Sequence, residues 1–260
     1  MKAIILSAGQ GRRLLPHTEN KPKCLVELQP GLTMLDWQLT QLKAAGVSEA
    51  VLVTGFFADK VEEQAERHSG IDVRCIYNPF YNIADNLGSV WLALSEMQAS
   101  FILMNGDTMF VHNVAKRLID NPSGDISLTI ARKPAYDDDD MKVIAEGGKL
   151  RAVGKKLALA SINAESIGMM GFTQQGAAQF RAAVDRAIRS ENGLSQYYLA
   201  VLDQMAQQGL VHTIEADQDE WCEIDYPQDL EAAGQQVAKW MADDGKAGDE
   251  QQAPASRGVA

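Results

Sequence analysis

Three groups of residues have the types and spacing to do chemistry. The first is a glycine-containing loop after an apolar run, Leu6-Ser7-Ala8-Gly9-Gln10-Gly11-Arg12-Arg13-Leu14, followed by Lys21-Pro22-Lys23-Cys24-Leu25-Val26. Gly9 and Gly11 free the backbone for positive φ and close approach to a ligand, and successive N–H groups in such a turn form an anion-binding nest. With Arg12, Arg13 and Lys23 in one loop system, the segment suits a triphosphate. It is neither of two commoner glycine motifs. Leu14 stands where G-x-G-x-x-G needs its third glycine, and the Gly-Lys-Ser/Thr of a P-loop is absent. Taken alone, the loop reads equally as a βα turn with solvated basic residues.

The second group is a pair of distant aspartates, Asp107 and Asp225, each following an apolar segment. Magnesium takes a few carboxylates plus phosphate oxygens and water, so two such residues suit phosphoryl chemistry if they converge. By spacing alone they are also ordinary cap or turn residues, Asp225 standing just ahead of Tyr226-Pro227. The third group is the run Asp137-Asp138-Asp139-Asp140. Beside an aromatic face such as Trp221, Tyr136 or Tyr81 it would hold a quaternary ammonium; otherwise it is a solvated acidic loop.

These residues meet only if strand ends gather them. Ala3–Leu6, a helix from Met34 to Ala45, Ala50–Thr54, a helix from Asp59 to His68 and Val73–Tyr77 alternate as βαβ units do. Such units take right-handed crossovers and put ligand-binding loops at the strand C-termini. A helix is predicted from Asn86 to Met97, then a strand Phe101–Met104 that leaves Asp107 at its exit. Further strands are predicted at Ile126–Ala131, Met141–Ala145, Ile167–Phe172, Val211–Glu215 and Trp221–Ile224, with helices at Ala177–Arg189 and Gln196–Met205. Pro227 opens a closing helix to Met241. The fold expected is α/β: a doubly wound, mostly parallel, Rossmann-like mixed sheet flanked by helices. Residues 1–241 form a single domain in this reading, and 242–260 a disordered polar tail.

At 260 residues and 46% hydrophobic content the chain can bury one large core. Its net charge of -11 opposes long-range attraction to nucleic acid or anionic lipid. Cys24, Cys75 and Cys222 lack CxxC spacing, which fits a reducing, cytoplasmic setting. No run is long and apolar enough for a signal sequence or membrane span. His17, His68, His112 and His212 lack metal-ligand spacing and are expected on the surface or in turns. The oligomeric state is left open.

The segment Lys2–Val26 resembles the signature loop of the nucleotidyltransferase family that makes nucleotide sugars and CDP-alcohols. Ala8, Gly9, Gly11, Arg13, Leu14, Pro16, Thr18, Pro22, Lys23 and Leu25 carry the match; Ser7 departs from the more usual alanine. Asn105-Gly106-Asp107 and Glu223-Ile224-Asp225, with Pro227 and Asp229-Leu230, resemble the family's two metal-binding aspartate segments. The resemblance implies a GT-A-like fold, Mg2+ held by Asp107 and Asp225, and a triphosphate met by Arg13 and Lys23. Leu6, Ala8, Gly9, Gly11 and Arg12 complete the nucleotide loop in this reading.

The stretch from Tyr77 to Ser89 is similar to the branch that uses CTP to activate phosphocholine and similar phosphorylated alcohols, with Asn86 and Ser89 offered to the pyrimidine edge. A plain helix cap at Asp85 or Asn86 is the alternative there. Lys142 resembles the family's second lysine, which meets the acceptor phosphate, or is a solvated strand residue. Glu165 and Gly168 lie in a segment resembling the one that closes over the acceptor, with Tyr81 and Trp221 as the aromatic partners. The expected reaction is CMP transfer from CTP to a phosphocholine-like acceptor. The alternatives are a sugar-1-phosphate nucleotidyltransferase using UTP, GTP or dTTP, and a nucleotide-binding regulatory module without turnover.

Overall fold

The computed structural model describes residues 1–252. In chain order the elements are β1 (Lys2–Leu6), β2 (Glu27–Gln29), β3 (Leu32–Thr33), α1 (Met34–Ala44), β4 (Glu49–Thr54), α2 (Ala58–Glu66), β5 (Asp72–Tyr77) and α3 (Asn86–Leu92). Then follow β6 (Phe101–Asn105), β7 (Thr108–Phe110), α4 (His112–Asp120), β8 (Ile126–Ala131), β9 (Lys142–Glu146), β10 (Lys149–Val153) and β11 (Ala164–Phe172). The chain continues with α5 (Gln174–Ile188), α6 (Tyr198–Gln207), β12 (Val211–Glu215), β13 (Trp221–Glu223) and α7 (Pro227–Gln252).

A nine-stranded mixed sheet in the order β5-β4-β1-β6-β11-β8-β12-β10-β9 carries the site. β5, β4, β1 and β6 pair in parallel, as do β8 and β12, whereas β11 runs antiparallel between β6 and β8. The parallel strands are apolar on both faces because helices cover both. Ile4, Val51 and Leu103 pack with Leu87, Val90, Phe180 and Leu202 on one side. The alternate residues Ala3, Ile5, Leu52 and Met104 pack with Leu35, Leu39, Val61 and Leu118 on the other. This is the two-residue period of a strand in three dimensions.

A third apolar cluster joins the loop after β1 to the chain's last helix through Leu14, Val26, Trp37, Ile224, Val237 and Trp240. Trp37 and Trp240 stack at 5.7 Å between centroids. Through Leu14 and Ile224 the cluster packs the segment carrying Asp225 against the loop after β1.

Several elements differ from the sequence reading. β7, α4, β10 and the small β2–β3 hairpin escape it; for β2, β3 and β7 the reason is that a strand of two or three residues has no measurable period, and β7 finds its partner β13 more than a hundred residues away. α3 stops at Leu92, with a separate 3₁₀ turn at Leu94–Glu96 in place of one helix to Met97. α7 runs past Met241 to Gln252; the rest of the polar tail expected over 242–260 lies outside the described residues. His112 opens α4 and His212 sits half-buried within β12, so neither is the surface or turn residue expected. Among the described residues no helix is long and apolar enough to cross a membrane, and all three cysteines are free.

Candidate active site

Parallel pairing sets Leu6 of β1 beside Asn105 of β6, so the loops leaving both strands start side by side. Gly106 makes their contact possible: its N–H donates to the Leu6 carbonyl at 3.0 Å, and a Cβ there would lie 2.7 Å from that same oxygen. Asp107 therefore emerges against the glycine loop. β7 then pairs antiparallel with β13, placing Glu223 opposite Thr108 and carrying Asp225 to the same spot.

The glycine loop turns at Gly11, whose φ of 61° and 2.9 Å clearance between a built Cβ and Lys23 Cβ both require glycine. Gly9, expected to share the positive φ, does not adopt it and faces open space. Thr18 Oγ1 donates to the Gly11 carbonyl at 2.7 Å and fixes the loop.

Lys23 Nζ donates to Asp107 Oδ2 at 2.9 Å and to Asp225 Oδ1 at 2.8 Å, bridging the two aspartates. Arg13 donates to the second oxygen of Asp225 at 3.2 Å. Burial would lower the Lys23 ammonium, but the charges of Asp107 and Asp225 outweigh it and hold it above its ordinary value. The capping alternative for Asp225 fails, since Asp229 accepts from both the Asp225 and Tyr226 N–H groups and leaves the Asp225 carboxylate free for the cleft.

Glu223 joins the pair: oxygens of Asp107, Glu223 and Asp225 all lie within 4.8 Å of one another. Glu223 keeps solvent contact, but desolvation where it faces the cleft, and then repulsion from Asp107 and Asp225, push its carboxyl above the usual carboxylate range. Asp107 Oδ1 is buried without a hydrogen-bond partner. Three hard oxygen donors that repel one another, one with an unpaired buried oxygen, fit a magnesium-type cation. Glu223 was not singled out by sequence reasoning, although its i, i+2 relation to Asp225 across a strand end puts the two on one side.

Three cavities meet at this cluster. One of about 310 Å³ is lined by Leu6, Gly9, Gly11, Arg12, Arg13, Lys23, Asp107 and Asp225, the group expected to handle the triphosphate. An adjoining one of about 260 Å³ brings together Ala8, Tyr81, Asn86, Ser89 and Asn105. Asn86 Oδ1 accepts from the Tyr198 N–H and Ser89 Oγ accepts from the buried Asn78 amide, so both residues are oriented by neighbours while lining the cavity. The third, of about 570 Å³, lies across Asp225 and is walled by Asp137, Asp139, Asp140, Glu165, Trp221 and Tyr226. Lys133 pairs there with both Asp140 and Glu165 at 2.8 Å. Burial, and then the charge of Asp140, push the Glu165 carboxyl up to about 7 against the pull of Lys133.

Three residues expected at the acceptor, Lys142, Tyr81 and Gly168, are not among those lining this third cavity. Lys142 is 2% exposed, and its ammonium donates to the main-chain carbonyls of Asp138, Asp140 and Lys155, so it braces the acidic loop from behind. Tyr81 packs at Gly55 and lines the cavity of about 260 Å³ with Asn86 and Ser89, whereas Trp221 lines the third. Gly168 is a buried bulge in β11 with φ 72°, where a Cβ would collide with the Asn105 side-chain amide.

Residues 3–141 match the model of the MobA-like NTP transferase domain. The CTP:phosphoglutamine cytidylyltransferase of Campylobacter jejuni is 26% identical over 257 aligned residues, covering 89% of this chain and 98% of that protein. The choline-phosphate cytidylyltransferase of Streptococcus pneumoniae is 32% identical over 110 residues, 42% of this chain and 46% of that one. Among solved structures, the CTP:phosphocholine cytidylyltransferase from Streptococcus pneumoniae matches with a TM-score of 0.74 at 21% identity, covering 91% of this chain and 98% of the other, a likeness of fold. Since the matched domain spans more than half of the chain and takes in both the glycine loop and Asp107, the protein belongs to the MobA-like NTP transferase family and is a nucleotidyltransferase.

Proposed function

We propose that the protein transfers CMP from CTP, in the presence of Mg2+, to a small phosphorylated acceptor whose far end carries a cationic amine, phosphocholine being the type compound. The observation that carries this reading is the acidic, aromatic-edged cavity of about 570 Å³ that shares Asp225 with the carboxylate cluster. Carboxylates and aromatic faces both attract an ammonium and repel an anionic head group. The relatives named for CTP-dependent work on phosphoglutamine and choline phosphate support the choice of CTP.

In the proposed reaction an acceptor phosphate oxygen bonds to the α-phosphorus of CTP. The bond from that phosphorus to the β-bridging oxygen breaks, and pyrophosphate leaves with the electron pair. Arg13, Lys23 and the N–H groups of the glycine loop hold the phosphate oxygens and stabilise their charge. Asp107, Glu223 and Asp225 are the residues that would hold Mg2+, which when bound neutralises phosphate oxygens. Asn86 and Ser89 line the space for the base, and Asp139, Asp140, Glu165, Trp221 and Tyr226 receive the amine.

Pyrophosphate release measured with CTP, UTP, GTP and dTTP against phosphocholine, phosphoethanolamine, glycerol phosphate, inositol phosphate and glucose 1-phosphate tests this. The expected result is turnover with CTP and the amine-bearing acceptors. Preference for UTP, GTP or dTTP with glucose 1-phosphate would replace it with nucleotide-sugar synthesis. Tight nucleotide binding without turnover on any acceptor would make the protein a regulatory module.

A further inference from the structure

The cations meant for the nucleotide are already engaged by the carboxylates meant for the metal. Lys23 Nζ touches one oxygen each of Asp107 and Asp225, at 2.9 and 2.8 Å, and Arg13 takes the remaining Asp225 oxygen at 3.2 Å. With its side chain 14% exposed, Lys23 forms part of the wall between the cluster and the polyphosphate cavity that Gly9, Gly11 and Arg12 also line. A dication brought to the same oxygens meets a positive charge at contact distance, so it must either displace that charge or bind weakly beside it. A polyphosphate entering the neighbouring cavity offers the ammonium other oxygens.

We propose that Lys23 is the resident counter-cation of the carboxylate cluster and couples the two ligands: divalent metal and nucleotide polyphosphate load together because the polyphosphate draws Lys23 off Asp107 and Asp225. The proposal rests on the reading of that cluster as the metal site. Coupling of this kind is reciprocal, so metal also tightens nucleotide binding by relieving the same competition.

The test uses Mn2+ as the probe, its free concentration followed by electron paramagnetic resonance, with the full chain and an α,β-methylene analogue of CTP that cannot react. Without nucleotide, Lys23→Met is expected to bind Mn2+ about tenfold more tightly than the wild type, within the usual range of coupling between sites. Lys23→Gln is expected to shift in the same direction, and it guards against a folding defect in the apolar variant. Adding the analogue is expected to tighten Mn2+ binding more in the wild type than in either variant, and Asp107→Asn in the Lys23→Met chain to abolish the gain. Equal Mn2+ affinity in wild type and both variants, lost on Asp107→Asn, overturns the competition and leaves the metal site standing. Absence of Mn2+ binding in every chain, with or without the analogue, overturns both.

Discussion

At the residue scale the cluster of Asp107, Glu223 and Asp225 divides the work unequally. Asp107 and Asp225 each touch Lys23, whereas Glu223 adds a third oxygen to the cluster. Removing one of the bridged pair deletes both a proposed metal donor and a partner that orients Lys23. Asp107→Ala is therefore expected to lower kcat by about 10²–10³-fold, as losses of single charge-stabilising groups do, and Glu223→Gln by a smaller factor. Steady-state rates at saturating Mg2+ check the order; a near-normal Asp107→Ala would remove the central role given to it. Glu165 supplies a pH signature. With its carboxyl pushed up to about 7 by burial, the proposed acceptor cavity becomes more negative as pH rises through neutrality. KM for a cationic acceptor is expected to fall roughly two- to fivefold between pH 6 and 8 as that charge appears. Glu165→Gln flattens the part of the profile that the acceptor phosphate's own ionisation does not explain.

At the scale of elements, the site is built by two irregularities. One is the three-residue pairing of β7 with β13, which brings Glu223 and Asp225 to Asp107. The other is the bulge at Gly168, where β11 shifts register against β8 and turns its first residues, Ala164 and Glu165, onto β9. A side chain at Gly168 meets both a left-handed φ and the Asn105 amide, which is itself held by the buried Tyr198 hydroxyl at 3.0 Å. Gly168→Ala is expected to destabilise the fold by about 1–3 kcal/mol, the range for a strained left-handed residue. Urea unfolding measures it, and a loss below a few tenths of a kcal/mol would show that β11 relaxes around the added methyl. Lys142 belongs at this scale as well. Its three carbonyl bonds tie the acidic loop to the turn after β10, so Lys142→Met is expected to raise KM for the acceptor while leaving KM for CTP near normal. An unchanged KM for the acceptor would show that this brace does not shape the acidic cavity.

At the scale of the whole molecule, the strand N-termini, opposite the site, are tied by ions. Glu96 accepts from Lys2 of β1 at 2.7 Å and from Arg74 of β5 at 2.8 and 3.1 Å. Hydrogen bonds from Arg74 and then from Lys2 lower its carboxyl to about 2. A carboxyl depressed on folding adds stability that is complete above its unfolded pKa, near 4.5, and is lost as pH falls towards 2. The wild type is expected to lose about 1–2 kcal/mol more than Glu96→Gln between pH 5 and 2.5, a figure reduced for the solvent around Arg74. Parallel denaturation curves at the two pH values provide the comparison, and identical losses would mean that the network adds nothing. The molecule also divides chemically: the family match ends at residue 141, so Glu165, Glu223 and Asp225 lie in the part of the chain beyond it.

The sequence by itself determined the elements that carry local period or local constraint. The βαβ rhythm predicts β1, α1, β4 and α2 closely, and the glycine-basic loop and Asp107 are legible because their neighbours in sequence are also their neighbours in space. Asp225 was legible as a strand-end carboxylate but equally as a cap, a choice decided by Asp229 taking over the backbone donors. Only the tertiary structure decided that Glu223 belongs to the cluster, that Lys23 bridges it, that the Lys142 ammonium is spent on main-chain carbonyls, and that Tyr81 shares a cavity with Asn86 and Ser89. Those facts depend on strand register and on which of two faces a side chain meets. Pairings across more than a hundred residues leave no trace in local hydrophobic spacing.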